Sequence, residues 1–491
     1  MLRLSVRGMS GRAASVAAQR TRAIGQQLRM ASTSAEEASS PVLFESNNGL
    51  RTYVLNRPKK LNALDTPTLN LLRPRIEEWN KSELCGIVLG TGAGRAFCAG
   101  GDVASVVDNA AKPETRPAAI EFFKKEFELD YILASLRKPY VAIMDGITMG
   151  GGAGLAAGAQ FRIATEKTVF AMPETKIGYF PDVGGSYYLP KLDGELGTYL
   201  ALTGDSLKGR AVFEHGLATH FIPSRRVPLL LQRLADLDQP SLAVIDQTIE
   251  ELSSEIDEAE SRSSLIGPTR VAIDAVFSHS KVEDIFKDLQ GLCKHEDESI
   301  STWASRTLEQ LKERSPTSLK VTLAALRRGK KLHLQDALSL ELNIAAAFCS
   351  GATNDFQTGV KAVLVEKAGG RPAWSPSEVS EVTEKTVEKF LAIDSESPYK
   401  LEVPTSVLEV HNGRRYTQFA LPTEREIMEA VTGSHANAGD MGVTAEEIVA
   451  LFERLRPGKH GVREKVQEVL ARKCTLIDNA DGNFVWLKWI H

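Results

Sequence analysis

Two glycine clusters constrain this chain more than any other feature. Cys98–Ala99–Gly100–Gly101–Asp102 follows the apolar run Gly86–Ile87–Val88–Leu89–Gly90, and Gly150–Gly151–Gly152 follows the run Tyr140–Met144. The second cluster sits where a strand pattern gives way to a helical one. Glycine there lets a ligand approach the backbone closely, and a helix start presents N–H groups with no intrahelical partner. Strand, glycine loop and helix in repetition predict an α/β arrangement with parallel crossovers. Two such N–H groups converging on one point would make an oxyanion hole, worth roughly 3–4 kcal/mol per donor in acyl chemistry. Tight packing and a phosphate nest are the other uses of such loops. Neither cluster fits G-x-x-x-x-G-K-[ST] or G-x-G-x-x-G, which argues against a nucleotide-phosphate site of those kinds.

Around the clusters the pattern resolves into elements. Val42–Glu45 and Leu50–Leu55 read as strands about the turn signal Asn47–Asn48–Gly49. A loop from Asn56 to Leu64 precedes a helix from about Thr66, with Leu69, Leu72, Ile76 and Trp79 at mostly 3–4 spacing. Residues 91–102 read as one glycine-rich loop, Arg116–Leu136 as a helix, and Arg162–Ala164 and Thr168–Phe170 as short strands. From about Val183 the chain is mainly helical. Ser253–Ser264 reads as a polar surface connection, Ser315–Pro316 starts a helix, and Leu338, Leu342, Ala345 and Phe348 mark another. The main domain spans 41–395. A composition break at Asp394–Lys400 sets off residues 401–491. From 406 onward these read as a small independent α/β module, with a hairpin of Val407–Val410 and Tyr416–Ala420 about Asn412–Gly413 and then two or three helices.

Composition excludes several classes. No apolar run approaches the ~18 residues of a membrane span. A net charge of −4 gives no whole-chain signature of nucleic-acid binding. The five cysteines are odd in number, far apart and without a CxxC pair, which argues against a disulfide framework or a zinc site. No metal is expected. The N-terminus differs in kind: Arg3, Arg7, Arg12, Arg20, Arg22 and Arg29 alternate with Ala, Ser, Leu and Val, and the first acid is Glu36. Residues 1–31 therefore read as a mitochondrial transit peptide cut near Met30–Ala31, which predicts a matrix protein. A disordered basic tail is the other reading.

A second chemical signal is Met172–Pro173–Glu174–Thr175–Lys176–Ile177–Gly178–Tyr179–Phe180–Pro181–Asp182–Val183–Gly184–Gly185. Glu174 and Asp182 stand in a largely apolar, glycine-rich segment, where an acid tends to have perturbed protonation and suits nucleophilic or acid/base work. Either acid alone is more often a helix cap or a structural partner.

Four motifs in register make the chain resemble the crotonase (enoyl-CoA hydratase/isomerase) superfamily over about 41–395. They are Asn56–Arg57–Pro58 with Leu61–Asn62–Ala63–Leu64, Phe97–Asp102, Gly146–Gly152, and Pro173–Glu174 with Gly178–Gly185. Within it, Ala171–Thr175, Phe180–Gly185, Leu202–Gly204 and Ala218–Phe221 resemble the 3-hydroxyisobutyryl-CoA hydrolase branch. The resemblance implies a repeated ββα spiral core with a helical C-terminal region, followed here by the extension. It implies hydrolysis of 3-hydroxyisobutyryl-CoA in valine catabolism, with CoA as part of the substrate and no separate cofactor. Gly101 and Gly151 would supply the oxyanion-hole N–H groups. Glu174 would attack the thioester carbonyl or position the attacking water. Asp182 would bind the acyl hydroxyl or assist proton transfer. Glu126 matches a substrate-contact position, and Arg57, Lys59, Asn62 and Ala63 lie where the family receives the nucleotide end of CoA.

Hydratases of the superfamily use two glutamates, and Gly154 stands where one of them belongs; they usually carry a small residue where this chain has Asp182. Glycine cannot transfer a proton, so the pattern favours thioester hydrolysis over enoyl-CoA hydration or isomerisation. Fungal relatives of the branch occur in the mitochondrial small ribosomal subunit, which makes that assembly a second candidate partner. The basic run Arg454, Arg456, Lys459, His460, Arg463, Lys465, Arg472 and Lys473 is either an RNA-facing or protein-facing patch or a solvated helix face. Homo-oligomers occur in the superfamily through C-terminal helices, which the hydrolase branch can fold back instead.

Overall fold

The computed structural model describes residues 40–253, 263–392, 399–403, 416–437, 442–478 and 485–490. The transit-peptide reading of 1–31, most of the Ser253–Ser264 connection, and the Val407–Val410 and Asn412–Gly413 parts of the expected hairpin lie outside them.

Strands β1 (Val42–Asn47) and β2 (Leu50–Leu55) form an antiparallel hairpin, with Asn48 at φ +48. Beside β2 lie β3 (Ile87–Gly92), β5 (Tyr140–Met144), β7 (Phe161–Ala164) and β10 (His220–Phe221), all parallel, in the order β1-β2-β3-β5-β7-β10. β5 and β7 are buried along their whole length, as expected of strands covered on both faces. A smaller sheet contains β4 (Ala96–Cys98), β6 (Ile147–Met149), β8 (Val169–Ala171) and β9 (Ser206–Lys208), the last antiparallel to β8. The pairs β3/β4, β5/β6 and β7/β8 each place one strand in either sheet. β4 falls inside the stretch expected to be a loop. Three residues are too few to show a period of two.

Helix Arg116–Ala134 is buried through almost all of its second half, including the acids Glu126, Glu128 and Asp130. It packs against helices Gly151–Ala157 and Leu334–Cys349. Ser315 accepts a hydrogen bond from the Ser318 N–H and caps helix Pro316–Gly329, as its sequence predicts.

Beyond residue 416 the outcome differs from the expected independent module. Tyr416–Phe419 form a turn and not a strand; helices Glu424–Val431, Ala445–Leu455 and Val462–Lys473 follow. β11 (Cys474–Asp478) and β12 (Val485–Trp489) then pair antiparallel. Leu421, Ile427, Phe452 and Val469 belong to one continuous apolar cluster with Leu196, Phe213 and Phe277 of the main domain. Arg162 in β7 donates to the carbonyls of Ala159, Leu217 and Tyr416, and its guanidinium lies 4.0 Å from the centre of the Tyr416 ring. The basic run is largely consumed by ion pairs: Arg456 with Glu426, Lys459 with Glu250, Arg463 with Glu453, Lys465 with Asp193, and Arg472 and Lys473 with Glu424. Lys459 and Lys465 thereby tie the extension to the main domain. This does not favour an RNA-facing patch.

Candidate active site

The site begins where the glycine clusters meet. Ala99 N–H donates to the Leu61 carbonyl, Leu64 N–H to Gly100, and Asp102 N–H to Leu64, which fixes the first loop against residues 57–64. Gly100 (φ +103) and Gly150 (φ +48) hold conformations open to glycine. Among the described residues neither the Gly101 nor the Gly151 N–H donates a hydrogen bond. A Cβ built on Gly100 would lie 3.8 Å from the Gly151 nitrogen, so the two loops converge.

Three acids face this junction. Glu174 opens the short 3-10 turn Glu174–Ile177, which ends at left-handed Gly178, where a Cβ would come 2.1 Å from the Asp355 carbonyl oxygen. A Cβ on Gly150 would lie 2.9 Å from Glu174 Oε1, and one on Gly151 would lie 2.1 Å from Glu126 Oε1. Gly101, Gly151, Glu126, Glu174 and Asp182 line one cavity of about 290 Å³. Glu126 Oε1 and Glu174 Oε2 are buried and have no hydrogen-bond partner among the described residues. Burial pushes Glu126 and Glu174 each up to about 8. Asp182 is held well above the ordinary range by burial first, then by the charges of Glu126, Glu174 and Glu341. Carboxyls this close titrate as a group.

Asp182 is set by an unusual turn. Gly185 N–H donates to the Asp182 carbonyl at 2.7 Å, and the two residues between, Val183 (φ +53) and Gly184 (φ +84), are both left-handed. Positive φ at both central positions marks a type I′ turn, which favours Asn, Asp and Gly. A β-branched residue there costs of order 1–3 kcal/mol. Glu341 reaches the same turn: its carboxylate accepts from Gly184 N–H (2.7 Å), Ser186 N–H (2.9 Å) and Ser186 Oγ (2.5 Å). Sequence reasoning did not find Glu341. A signal existed, because it falls three residues after Leu338 and four before Ala345, on the buried stripe of its helix.

Gly154 leaves no room for a side chain. A Cβ there would stand 2.6 Å from Val183 Cβ and 2.7 Å from Asp130 Oδ2. Asp130, one turn beyond Glu126, was likewise not anticipated. It is buried, and neither of its carboxylate oxygens has a hydrogen-bond partner among the described residues.

The residues expected at the nucleotide end of CoA are not part of the cavity wall. Asn62 is buried and structural: its Oδ1 accepts from Arg57 N–H, and its Nδ2 donates to the carbonyls of Ala93 and Ala96. Arg57 donates to the Ala63 carbonyl and pairs with Asp65 (3.1 Å) and Asp102 (3.4 Å). Lys59 is exposed on the turn Pro58–Lys60. Arg57 thus braces the first glycine loop through Asp102, and Asn62 braces the strand before it.

The acids set a pH dependence. An acid whose folded pKa is raised binds its proton more tightly when folded, so its ionisation opposes folding. For Glu126 and Glu174 that cost is absent below the unfolded pKa and grows as pH rises towards about 8. The urea midpoint is therefore expected to fall between pH 5 and pH 8, and Glu126→Gln should flatten the slope. A wild-type midpoint independent of pH over that range would contradict the assignment.

A family model described as enoyl-CoA hydratase/isomerase matches residues 50–391. The chain is 39% identical over 477 residues to the Small ribosomal subunit protein mS47 of Neurospora crassa, covering 92% of this chain and 91% of that protein. It is 41% identical over 369 residues to the mitochondrial 3-hydroxyisobutyryl-CoA hydrolase of Danio rerio, covering 74% and 93%. The crystal structure of a carnitinyl-CoA dehydratase from Mycobacterium thermoresistibile aligns with a TM-score of 0.65 and 32% identity, over 75% of this chain and all of that one.

Proposed function

The chain belongs to the enoyl-CoA hydratase/isomerase family, and from that premise we propose that it hydrolyses a 3-hydroxyacyl-CoA thioester in mitochondria. The favoured substrate is 3-hydroxyisobutyryl-CoA, and 3-hydroxypropionyl-CoA suits the same chemistry. The observation that carries this reading is the pair of acids Glu174 and Asp182 on one cavity, with glycine at position 154 behind Val183 and off that cavity. Gly154 has neither a carboxyl nor space for one, while Asp182 lines the cavity with Glu174. That arrangement lacks a carboxyl at the position where hydratases carry their second glutamate, and retains what thioester cleavage requires.

In this mechanism the thioester oxygen sits against the N–H groups of Gly101 and Gly151, which stabilise the negative charge of the tetrahedral intermediate. Ionised Glu174 either attacks the carbonyl carbon, expelling CoA thiolate and leaving an anhydride that water opens, or takes a proton from the water that attacks. In both routes the C–S bond breaks, the acyl group gains the water oxygen, and the sulfur leaves as the thiol. Asp182 orients the 3-hydroxyl and relays the proton. Glu126 lies against Gly151 on the same cavity. The names of the relatives support a mitochondrial location, and the arginine-rich N-terminus suits the matrix.

Release of free thiol from a panel of CoA thioesters tests the reading. Turnover is expected with 3-hydroxyisobutyryl-CoA and not with crotonyl-CoA as a hydration substrate. Loss of the crotonyl-CoA double bond without thiol release would replace hydrolysis by hydration.

A second role has one observation of its own: the relative named as a small ribosomal subunit protein matches through the extension. An active hydrolase that also joins that subunit would co-sediment with mitochondrial ribosomes at moderate salt. A wholly free pool rejects the second role and leaves the first standing.

A further inference from the structure

The turn that places Asp182 is held from far along the chain. Glu341 is fully buried, pairs with no cation among the described residues, and uses both oxygens on the Gly184 and Ser186 donors. It does not line the cavity. Under this clamp Val183 stays left-handed, and its side chain fills the room beside Gly154.

We propose that Glu341 is a positioning residue that holds the Asp182 turn, and that Val183, kept left-handed by it, ties the acid present at position 182 to the vacant position at 154. This rests on the hydrolase reading for its catalytic consequence but not for its geometry. A carboxylate suits the task because three donors converge on two acceptor oxygens. A glutamine has one acceptor oxygen, and its amide NH₂ would face an N–H group. The acid gained and the acid lost are then two sides of one backbone conformation.

Asp182 is faced by Glu126 from helix Arg116–Ala134, by Glu174 from the 3-10 turn, by Glu341 from helix Leu334–Cys349, and by the Tyr179 hydroxyl of its own loop. The three acids raise it, so removing the Glu341 charge should let Asp182 ionise at lower pH.

Glu341→Gln is the test, with Val183→Gly as its partner, because glycine adopts positive φ without strain. In the active full-length enzyme, Glu341→Gln should lower kcat at least tenfold while KM changes less than about threefold. Adding Val183→Gly should restore most of that kcat, a rescue that a merely stabilising role would not produce. Where Glu341→Gln alone does not fold, Val183→Gly is compared with the double variant. Equal kcat within threefold supports the clamp, and a further tenfold loss overturns it.

A second readout needs no turnover: a carbon-13 spectrum of carboxyl-labelled aspartate, with the Asp182 signal identified by its loss in Asp182→Asn. At pH 5, where burial keeps Asp182 protonated, its signal should move when Glu341→Gln is introduced and return towards the wild-type position when Val183→Gly is added; a signal unmoved by Glu341→Gln overturns the proposal. Wild-type protein inert towards every thioester would sink the hydrolase reading, and the spectrum would still decide this one.

Discussion

Glu174→Gln is expected to lower kcat for thioester hydrolysis by about 10²–10⁴-fold, the span that a positioned acid–base group contributes. Glutamine keeps the size of the protonated acid that burial favours, so the cavity keeps its shape. It can neither attack a carbonyl nor accept a proton from water. KM for the CoA ester should stay within a few-fold, because binding energy from the rest of the substrate is untouched. Stability supplies an independent check of sign. Glu174 is pushed up to about 8 by burial, so ionising it works against the fold as pH rises. The variant has no such group and should resist urea at pH 8 at least as well as the wild type. Kinetics and denaturation on one preparation separate the outcomes: lost turnover in a stable protein supports the assignment, and near-wild-type turnover ends it.

Gly154→Glu, which restores the acid expected of a hydratase, should produce no hydratase and should destabilise the protein by at least about 4 kcal/mol. Its Cβ would overlap Val183 Cβ at 2.6 Å and Asp130 Oδ2 at 2.7 Å. Overpacking a close-packed site costs about 1–3 kcal/mol or more. The new carboxyl would also stand beside Asp130, an acid that burial already pushes towards its neutral form, and an unpaired buried charge adds several kcal/mol more. The measurement is the urea midpoint with a crotonyl-CoA assay alongside. A variant as stable as the wild type that hydrates crotonyl-CoA would show that the space at 154 can open.

Much of the site was legible before any coordinates. Gly101, Gly151, Glu126, Glu174 and Asp182 do share one cavity: four of them lie in motifs at strand ends and tight turns, whereas Glu126 lies within helix Arg116–Ala134 and was reached only through the resemblance. The family and its α/β core followed from the same motifs. What stayed hidden depends on distant partners. Glu341 meets Gly184 across 157 positions, and helical periodicity reveals a buried face without naming what lies opposite. The Asn62 side chain is spent on the carbonyls of Ala93 and Ala96, a use its motif does not distinguish from ligand contact. The basic run near the C-terminus looked available because the acids that pair with it, Glu250 and Asp193 among them, lie more than two hundred positions earlier. β11 and β12 were missed although Asp481–Gly482, a common hairpin pair, separates two runs rich in β-formers.

The Arg162 guanidinium makes the main domain depend on the extension. Two of its carbonyl acceptors, Ala159 and Leu217, belong to the main domain, but the Tyr416 carbonyl and ring come from 254 positions further along the chain. Cutting the chain before Tyr416 would remove one acceptor and the aromatic face from a buried cation in β7. Truncation at the end of the family match is therefore expected to weaken the central sheet itself and not merely to shed an appendage.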